Sequence, residues 1–271
     1  MTKHRLIAVL LIDSGNVVQT RFFKRTNMVG SAFTAVDFFN SWTVDEIIVL
    51  EISGDRSWLV RMQEIVVELS RRCFVPLSVG GKIRDVELAA RYLRTGADKV
   101  VVNTGAVERP ALISEIAERY GRQCVVVSID ARPDAALPSG YRVVIDNARR
   151  DTELDVLEWA QTAIARGAGE LMLNSTTHDG NKGGYDLALL KQVSRAVPVP
   201  VIAMGGVGQL AHFVDGIVEG GADAAAAGNI FHYFEHSTKK AKEAMANAGL
   251  AVRSIGFYQV NMPRRPKYRP F

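Results

Sequence analysis

Two Gly-Gly pairs stand where the backbone could approach an anion. Gly80-Gly81 follows the apolar run PLSV, and Gly205-Gly206 follows the apolar run VIAM. A glycine has no Cβ atom, so the chain can pass close to a ligand, and the first turn of a following helix offers unpaired N–H groups to a phosphate. We therefore interpret both pairs as phosphate-binding turns.

Each pair has a polar companion after the next apolar run, Asn103-Thr104 in the first half of the chain and Gly228-Asn229 in the second. The two Gly-Gly pairs are 125 residues apart, as are Gly96-Ala-Asp98 and Gly221-Ala-Asp223. Equal offsets indicate two half-barrels of four βα units each. Two such turns on opposite sides of one mouth would suit an anionic substrate, such as a bisphosphate.

Apolar runs rich in β-branched residues alternate with stretches of helical periodicity, a pattern typical of parallel βα units. Eight strands are predicted, at residues 6–12, 46–52, 75–79, 99–103, 124–130, 170–175, 200–204 and 223–227. Helices are predicted in most gaps, among them 57–73, 86–95, 110–120, 155–166, 186–196 and 210–220. Eight units favour an α/β fold of the (β/α)₈ TIM-barrel type, which needs about 250 residues. We predict a barrel over residues 1–253 and a basic, proline-containing tail over 254–271.

Composition and charge exclude several classes of protein. The chain is 48% hydrophobic and 23% charged, which is ordinary for a globular domain. It has no apolar run long enough for a membrane helix and no signal-peptide pattern, so we expect a cytoplasmic protein without a membrane partner. Much of the net charge of +4 comes from the tail, so we expect no nucleic-acid partner. The two cysteines show no metal-ligand spacing, and we expect neither a metal nor a cofactor.

Between about residue 4 and about residue 253 the sequence resembles the cyclase subunit (HisF) family of imidazole glycerol phosphate synthase. The matching segments include Val79-Gly80-Gly81, Gly96-Ala-Asp98-Lys99-Val, Val125-Val-Val-Ser-Ile-Asp130-Ala, Arg166-Gly-Ala-Gly-Glu170 and Asp179-Gly180-Asn-Lys-Gly-Gly-Tyr-Asp186. A collinear match of this length is specific. It implies a lyase that works with a separate glutaminase subunit.

In that family the glutaminase docks at the bottom of the barrel and passes ammonia through its centre to the substrate at the top. The family's ring of charged residues at the entrance matches Arg5, Glu46, Lys99 and Glu170, and a docking residue matches Asp98. Independently of the resemblance, Glu46, Lys99 and Glu170 each begin a predicted strand. They should therefore converge on the N-terminal face, where residues of such barrels also serve stability.

The family places one catalytic aspartate at the end of strand one and another at the end of strand five. Asp130 matches the second, but Leu11 stands at the first position and cannot transfer a proton. Asp13 projects to the same side if the strand is regular, about 6.6 Å higher. We therefore predict Asp130 and Asp13 as the catalytic carboxylates.

Other positions of the mouth also depart from the family. Lys82 replaces a third glycine, Gln19 replaces a lysine, Met204 stands where a small hydroxyl residue is common, and Asn229 replaces a serine. Lys82 could still bind an anion as a cation. Asp179-Gly180 matches the family's second phosphate loop, and the neighbouring His178 is interpreted as an exposed loop residue.

These departures leave three functions open. The first is an ammonia-using subunit diverged from histidine biosynthesis, like paralogues of surface-polysaccharide clusters that pair with a glutaminase and a third, ATP-using protein to build an acetamidino sugar. The second is a genuine cyclase acting on a bisphosphorylated ribulosyl substrate. The third is a non-catalytic subunit that activates the glutaminase and conducts ammonia to another enzyme.

Overall fold

Eight parallel strands close into a barrel in the computed structural model, which describes residues 3–41, 43–54, 58–233 and 237–254. In barrel order they are β1 (Arg5–Asp13), β4 (Glu46–Glu51), β5 (Leu77–Gly80), β6 (Lys99–Val102), β7 (Val125–Pro133), β10 (Glu170–Ser175), β11 (Val201–Met204) and β12 (Ala224–Ala227). The ring closes where Arg5 of β1 pairs with Ala224 of β12. The predicted barrel is confirmed, and every predicted strand lies within about three residues of its observed bounds.

Helices surround this barrel. They are α1 (Ala32–Ser41), α2 (Trp58–Arg72), α3 (Val86–Arg94), α4 (Thr104–Glu108), α5 (Ala111–Tyr120), α6 (Val156–Ala165), α7 (Leu187–Ala196), α8 (Ala211–Val218) and α9 (Ser237–Asn247). Aspartates at the N-caps begin three of them: Asp85, Asp155 and Asp186 accept hydrogen bonds from N–H groups of the first turn. All six named helix predictions are confirmed.

Strand side chains alternate between the barrel interior and the layer beneath the helices. The interior cluster is mainly apolar and consists of Ile7, Val9, Ile48, Val101, Val126, Met172, Ile202, Met204, Ala224 and Ala226. Neighbouring residues of the same strands, such as Leu6, Ala8 and Leu10, belong to the larger cluster outside the barrel wall. Because both faces are buried, these strands are nearly continuous apolar runs, which is why they were predictable.

Two β-hairpins that the sequence analysis did not predict stand at the carboxyl end of the barrel. The first, β2 (Asn16–Arg21) and β3 (Lys24–Gly30), extends β1; the second, β8 (Tyr141–Ile145) and β9 (Arg150–Asp155), extends β7. The side chains of β3 are almost all exposed, so the segment has no alternation of apolar and polar residues to reveal it. Both hairpins overhang the mouth.

The last described residues run beside the start of the barrel. The N–H of His4 donates to the carbonyl of Ala251 at 2.7 Å, which places the end of the described chain at the N-terminal face. The predicted boundary at 253 stays a prediction, and residues 255–271 of the predicted tail lie outside the described residues. In the described part of the chain, every helix is too short or too polar to span a bilayer.

Candidate active site at the barrel mouth

A cavity of about 230 Å³ lies at the carboxyl end of the barrel. Seven of the predicted site residues line it: Asp13, Gly81, Lys82, Asn103, Thr104, Asp130 and Asp179. Five others line a smaller space beside it together with Asp179: Gly180, Gly205, Gly206, Gly228 and Asn229. Gly80 lines neither, because it is buried below the floor of the cavity between Leu50 and Val101.

Asp130 has the environment of an acid–base group. It is 8% exposed, and the side-chain amide of Asn103 donates to its carboxylate at 3.1 Å. Burial, followed by the charge of Asp179, raises the pKa of Asp130 to about 7, against the lowering effect of Asn103. A carboxyl group that titrates near neutral pH can both give and take a proton there.

Part of the cavity wall is apolar. Leu11, Leu50, Met172 and Met204 line the cavity, and the last two are nearly fully buried. Leu11 and Met204 are two of the positions at which the sequence departs from the family. The structure therefore puts hydrocarbon where the family carries a carboxyl and a small hydroxyl group.

Asp13 reaches the cavity as the regular strand predicts, since β1 stays paired with β2 through Asp13 and Asn16. Its carboxylate, however, is already engaged. One oxygen pairs with the Arg25 guanidinium at 2.9 Å, and the other accepts from the Ser14 hydroxyl at 2.9 Å. A proton-transfer role for Asp13 stays a prediction, and it would require this ion pair to open.

The first predicted phosphate turn is only partly as expected. Gly81 (φ +104°) allows a close packing contact, because an added Cβ would lie 2.2 Å from the carbonyl oxygen of Glu51. At the start of the following helix, α3, the Asp85 carboxylate accepts from the Leu88 N–H at 2.8 Å, so one N–H group of the first turn is already satisfied. Phosphate binding at this turn stays a prediction, and the N-cap side chain would compete with the anion there.

The first turn of the short helix α4 also faces the cavity. Asn103 precedes it without a side-chain capping bond, and Asn103, Thr104 and Gly105 all line the cavity. Lys82, in the left-handed conformation (φ +58°), lines the same side and forms no ion pair with any described residue. A cation and a helix start thus face one part of the cavity.

The second predicted phosphate turn is nearly filled by protein. The space that it lines measures about 20 Å³, roughly room for one water molecule. Gly205 and Gly206 fit closely against Asn174 and Gly184, and the Asn229 amide donates to the carbonyl of Thr20 in β2 at 2.7 Å. The first hairpin would have to move before this turn could take a phosphate.

Asp179 fastens that hairpin. Its carboxylate accepts from the Phe23 N–H at 2.8 Å and from the Thr20 hydroxyl at 3.1 Å. Burial raises its pKa, which these two hydrogen bonds oppose. Its neighbour His178 is only half-exposed, at 31% of its side chain, and its Nδ1 lies 3.7 Å from the Asp186 carboxylate and near the Ser175 and Thr177 hydroxyl groups, so the expected fully exposed histidine is not found.

The sequence analysis missed two polar residues at strand ends. The Oε2 atom of Glu51 and the Oδ1 atom of Asn174 are buried, line the cavity, and have no hydrogen-bond partner among the described residues. A polar residue at the carboxyl end of a barrel strand is a signal for a site, and it could have identified both. Arg25 and Arg149 also reach the cavity, from the unpredicted hairpins.

At the opposite end of the barrel four side chains form the charged quartet, Arg5, Glu46, Lys99 and Glu170. Each base bridges both acids: Arg5 lies 2.7 Å from Glu46 and 3.2 Å from Glu170, and Lys99 lies 3.1 Å from each. The Ser78 hydroxyl also donates to Glu46 at 2.7 Å. Asp98 lies exposed beside the quartet, with its carboxylate accepting from the Leu77 N–H at 2.8 Å.

The described residues form no group of His, Cys, Asp and Glu side chains suited to a metal ion.

Comparisons with known proteins agree with this geometry. Residues 5–237 match the family described as histidine biosynthesis protein. A Vibrio vulnificus (strain YJ016) protein, provisionally named imidazole glycerol phosphate synthase subunit hisF2, is 42% identical over 253 residues, or 93% of this chain and 92% of that protein. Imidazole glycerol phosphate synthase subunit HisF of Chloroherpeton thalassium (strain ATCC 35110 / GB-78) is also 42% identical over 253 residues, or 93% of this chain and 100% of that protein. This chain therefore belongs to the histidine biosynthesis protein family and is similar to its HisF subunits.

Proposed function

We propose that this chain is a cytoplasmic, ammonia-using synthase subunit that works with a glutaminase and has diverged to amidinate a sugar of a surface polysaccharide. The observation that carries the divergence is Leu11, which lines the mouth cavity with Met204 and lies on β1, across the barrel from Asp130 on β7. An apolar residue there removes the second proton-transfer group of the cyclase reaction. Retention of Asp130 with a pKa near 7 supports a role in chemistry rather than in ammonia conduction alone.

The N-terminal face supports ammonia use. The charged quartet closes the barrel bottom, and above it the interior is lined by apolar residues such as Val9, Val126 and Ala226. Neutral ammonia can pass such a lining, whereas ammonium would lose its hydration there. A glutaminase docked on this face, near Asp98, would have to part the quartet to deliver ammonia.

At the mouth, ammonia would form a new C–N bond at the carbon of a sugar acetamido group. The oxygen of that group must leave, and the third, ATP-using protein would activate it by attaching a phosphorus-containing group that departs with the oxygen. Asp130 would accept the proton that the attacking nitrogen loses. The apolar wall of Leu11 and Met204 would contact the methyl of the acetamido group.

The second candidate is a genuine cyclase of histidine biosynthesis. It is favoured by the similarity to the Chloroherpeton protein over that protein's full length. Two further carboxylates, Asp13 and Glu51, line the same cavity and could supply the missing acid–base group.

Turnover of the bisphosphorylated ribulosyl substrate with saturating ammonium salt separates the two. We expect no turnover by the wild-type protein and measurable turnover by Leu11→Asp. Leu11→Asn is the matched control, because it has the same size and polarity but transfers no proton. Robust wild-type turnover would overturn the divergence. If the wild-type protein stimulates a glutaminase but turns over neither this substrate nor an activated acetamido sugar, the non-catalytic ammonia conduit is the correct reading.

A further inference from the structure

A second cleft opens beside the mouth cavity, between the two hairpins. It is open to solvent on one side and has a volume of about 640 Å³, within the range of small-molecule sites. Four basic side chains line it, Lys24, Arg25, Arg132 and Arg149, and none of its described lining residues is acidic. The cleft continues into the mouth cavity, since Arg25 and Arg149 line both.

Two of these four charges are free. Arg25 pairs with Asp13, and Arg132 pairs with Asp151. Lys24 and Arg149 form no ion pair with any described residue, and both are exposed to solvent. The cleft therefore has two uncompensated positive charges, one on each hairpin, facing a common space.

The second hairpin is held rigidly under Arg149. Its tip, Asp146–Ala148, has three consecutive residues in the left-handed region, with φ of 55°, 55° and 59°, a conformation disfavoured for residues other than glycine. Three hydrogen bonds maintain it: Asp146 N–H to the Thr104 hydroxyl at 3.0 Å, Asn147 amide to the Ile52 carbonyl at 3.0 Å, and Arg132 guanidinium to the Ala148 carbonyl at 2.7 Å. Strain maintained in this way is typical of functional sites.

The first hairpin presents an aromatic ring beside the charges. Phe22 and Phe23 also have left-handed φ, of 52° and 61°, and their N–H groups donate to the backbone carbonyl and carboxylate of Asp179 at 2.9 and 2.8 Å. The turn is thereby fixed. Phe22 remains 45% exposed, with the Arg21 guanidinium over one face of its ring, 5.2 Å from the centroid, so that the other face can take a ligand. A fixed, exposed aromatic residue can stack on a planar group at little cost in conformational entropy.

We propose that this cleft binds a nucleoside diphosphate, the carrier portion of an acceptor whose sugar occupies the mouth cavity. The diphosphate would lie between Lys24 and Arg149, and the base would stack on Phe22. Arg149, which lines both spaces, would contact the phosphate next to the sugar. The acceptor sugar in the mouth cavity rests on the proposed function. The binding of a nucleoside diphosphate in the cleft does not depend on it.

Calorimetric titration of the full chain with ADP, UDP, uridine and inorganic pyrophosphate tests it. We expect a nucleoside diphosphate to bind with Kd below about 1 mM and more tightly than pyrophosphate or uridine. Lys24→Gln combined with Arg149→Gln should weaken the binding of both phosphate-containing ligands at least about tenfold. Phe22→Ala should weaken the nucleoside diphosphate about tenfold and leave pyrophosphate unchanged.

Lys191→Gln, which removes an exposed charge on α7, is the matched control and should change Kd less than about twofold. All variants change exposed side chains, and thermal unfolding checks that they fold. Absence of binding by the wild-type protein, or equal binding by the charge variant, would overturn the proposal. If pyrophosphate and the nucleoside diphosphate bind with equal affinity, the base contributes nothing to binding, and the proposal of a nucleoside ligand is overturned. These measurements need no turnover, so a positive cyclase assay would overturn the proposed function without changing their interpretation.

Discussion

At the scale of the residue, the site is decided by the surroundings of Asp130. Its carboxyl is buried beside hydrocarbon and near Asp179, and its pKa rises to about 7 for these reasons. The unfolded chain would titrate the same group near 4. Ionisation of Asp130 at neutral pH and above therefore destabilises the folded state. As a result, the free energy of unfolding depends on pH through this group.

We predict that Asp130→Asn stabilises the protein at high pH while removing its activity. Because the folded-state pKa is raised, the folded protein loses stability as pH rises from about 4 to about 7, and the whole penalty is present above that range. The variant should gain on the order of 3 kcal/mol at about pH 8.5 and only about 1 kcal/mol at about pH 4.5. Urea unfolding at both pH values measures this difference.

Glu118→Gln, an exposed acid on α5, is the control and should show no such pH dependence. A stability change of Asp130→Asn that is equal at the two pH values would contradict a raised pKa. Activity of the variant should fall at least about 100-fold, the usual contribution of a general acid or base.

At the scale of the element, glycines and hairpins shape the mouth. The Gly-Gly turns are required first by packing, because Gly81 passes against the end of β4 and Gly206 against Gly184. The hairpins then bring Arg25 and Arg149 over the cavity. A turn that packs this closely cannot take a side chain, whether or not it binds a phosphate.

We predict that Gly81→Ala destabilises the protein far more than Gly140→Ala. Both glycines have positive φ, +104° and +77°, so alanine is strained at each by about 1–2 kcal/mol. Only at Gly81 would the new Cβ collide with backbone, 2.2 Å from the Glu51 carbonyl; at Gly140 nothing lies within 4 Å. Denaturant unfolding should show an additional loss of at least about 2 kcal/mol at Gly81. Equal losses would mean that the two chain segments separate easily.

At the scale of the whole molecule, the two ends of the barrel differ in the groups that close or cover them. The N-terminal end is closed by the charged quartet, in which Glu46 is 1% exposed. The carboxyl end is open and overhung by hairpins. Barrels of this type usually carry stabilising residues at the N-terminal end and ligand sites at the carboxyl end.

We predict strong coupling between Glu46 and Lys99 in a double-mutant cycle. Glu46→Gln and Lys99→Met should each cost about 2–3 kcal/mol, because each leaves poorly solvated opposite charges with only one of their two partners. The double variant should cost at least about 1 kcal/mol less than the sum. The control cycle, Arg109→Met with Glu115→Gln, removes a pair whose side chains are 44% and 42% exposed and should show coupling below about 0.5 kcal/mol. Additive costs in the first cycle would mean that the quartet is held by its backbone and not by its charges.

The strand order and the convergence of Glu46, Lys99 and Glu170 on one face followed from the sequence alone. Strands buried on both faces are apolar along their whole length, and residues that begin parallel strands must meet at one end of the sheet. The resemblance to the family placed Asp130 and Leu11 at the other end. Such inferences succeed because they depend on local pattern and on the closure of the ring.

The tertiary structure alone decided which groups are engaged and which are available. It paired Asp13 with Arg25, capped α3 with Asp85, and brought the exposed hairpin tips together around the cleft of Lys24 and Arg149. No local pattern specifies these contacts, because they join segments far apart in the chain and, in the hairpins, depend on strained turns held by distant hydrogen bonds. Burial likewise set the pKa of Asp130, since it depends on every neighbour that excludes water from the carboxyl group.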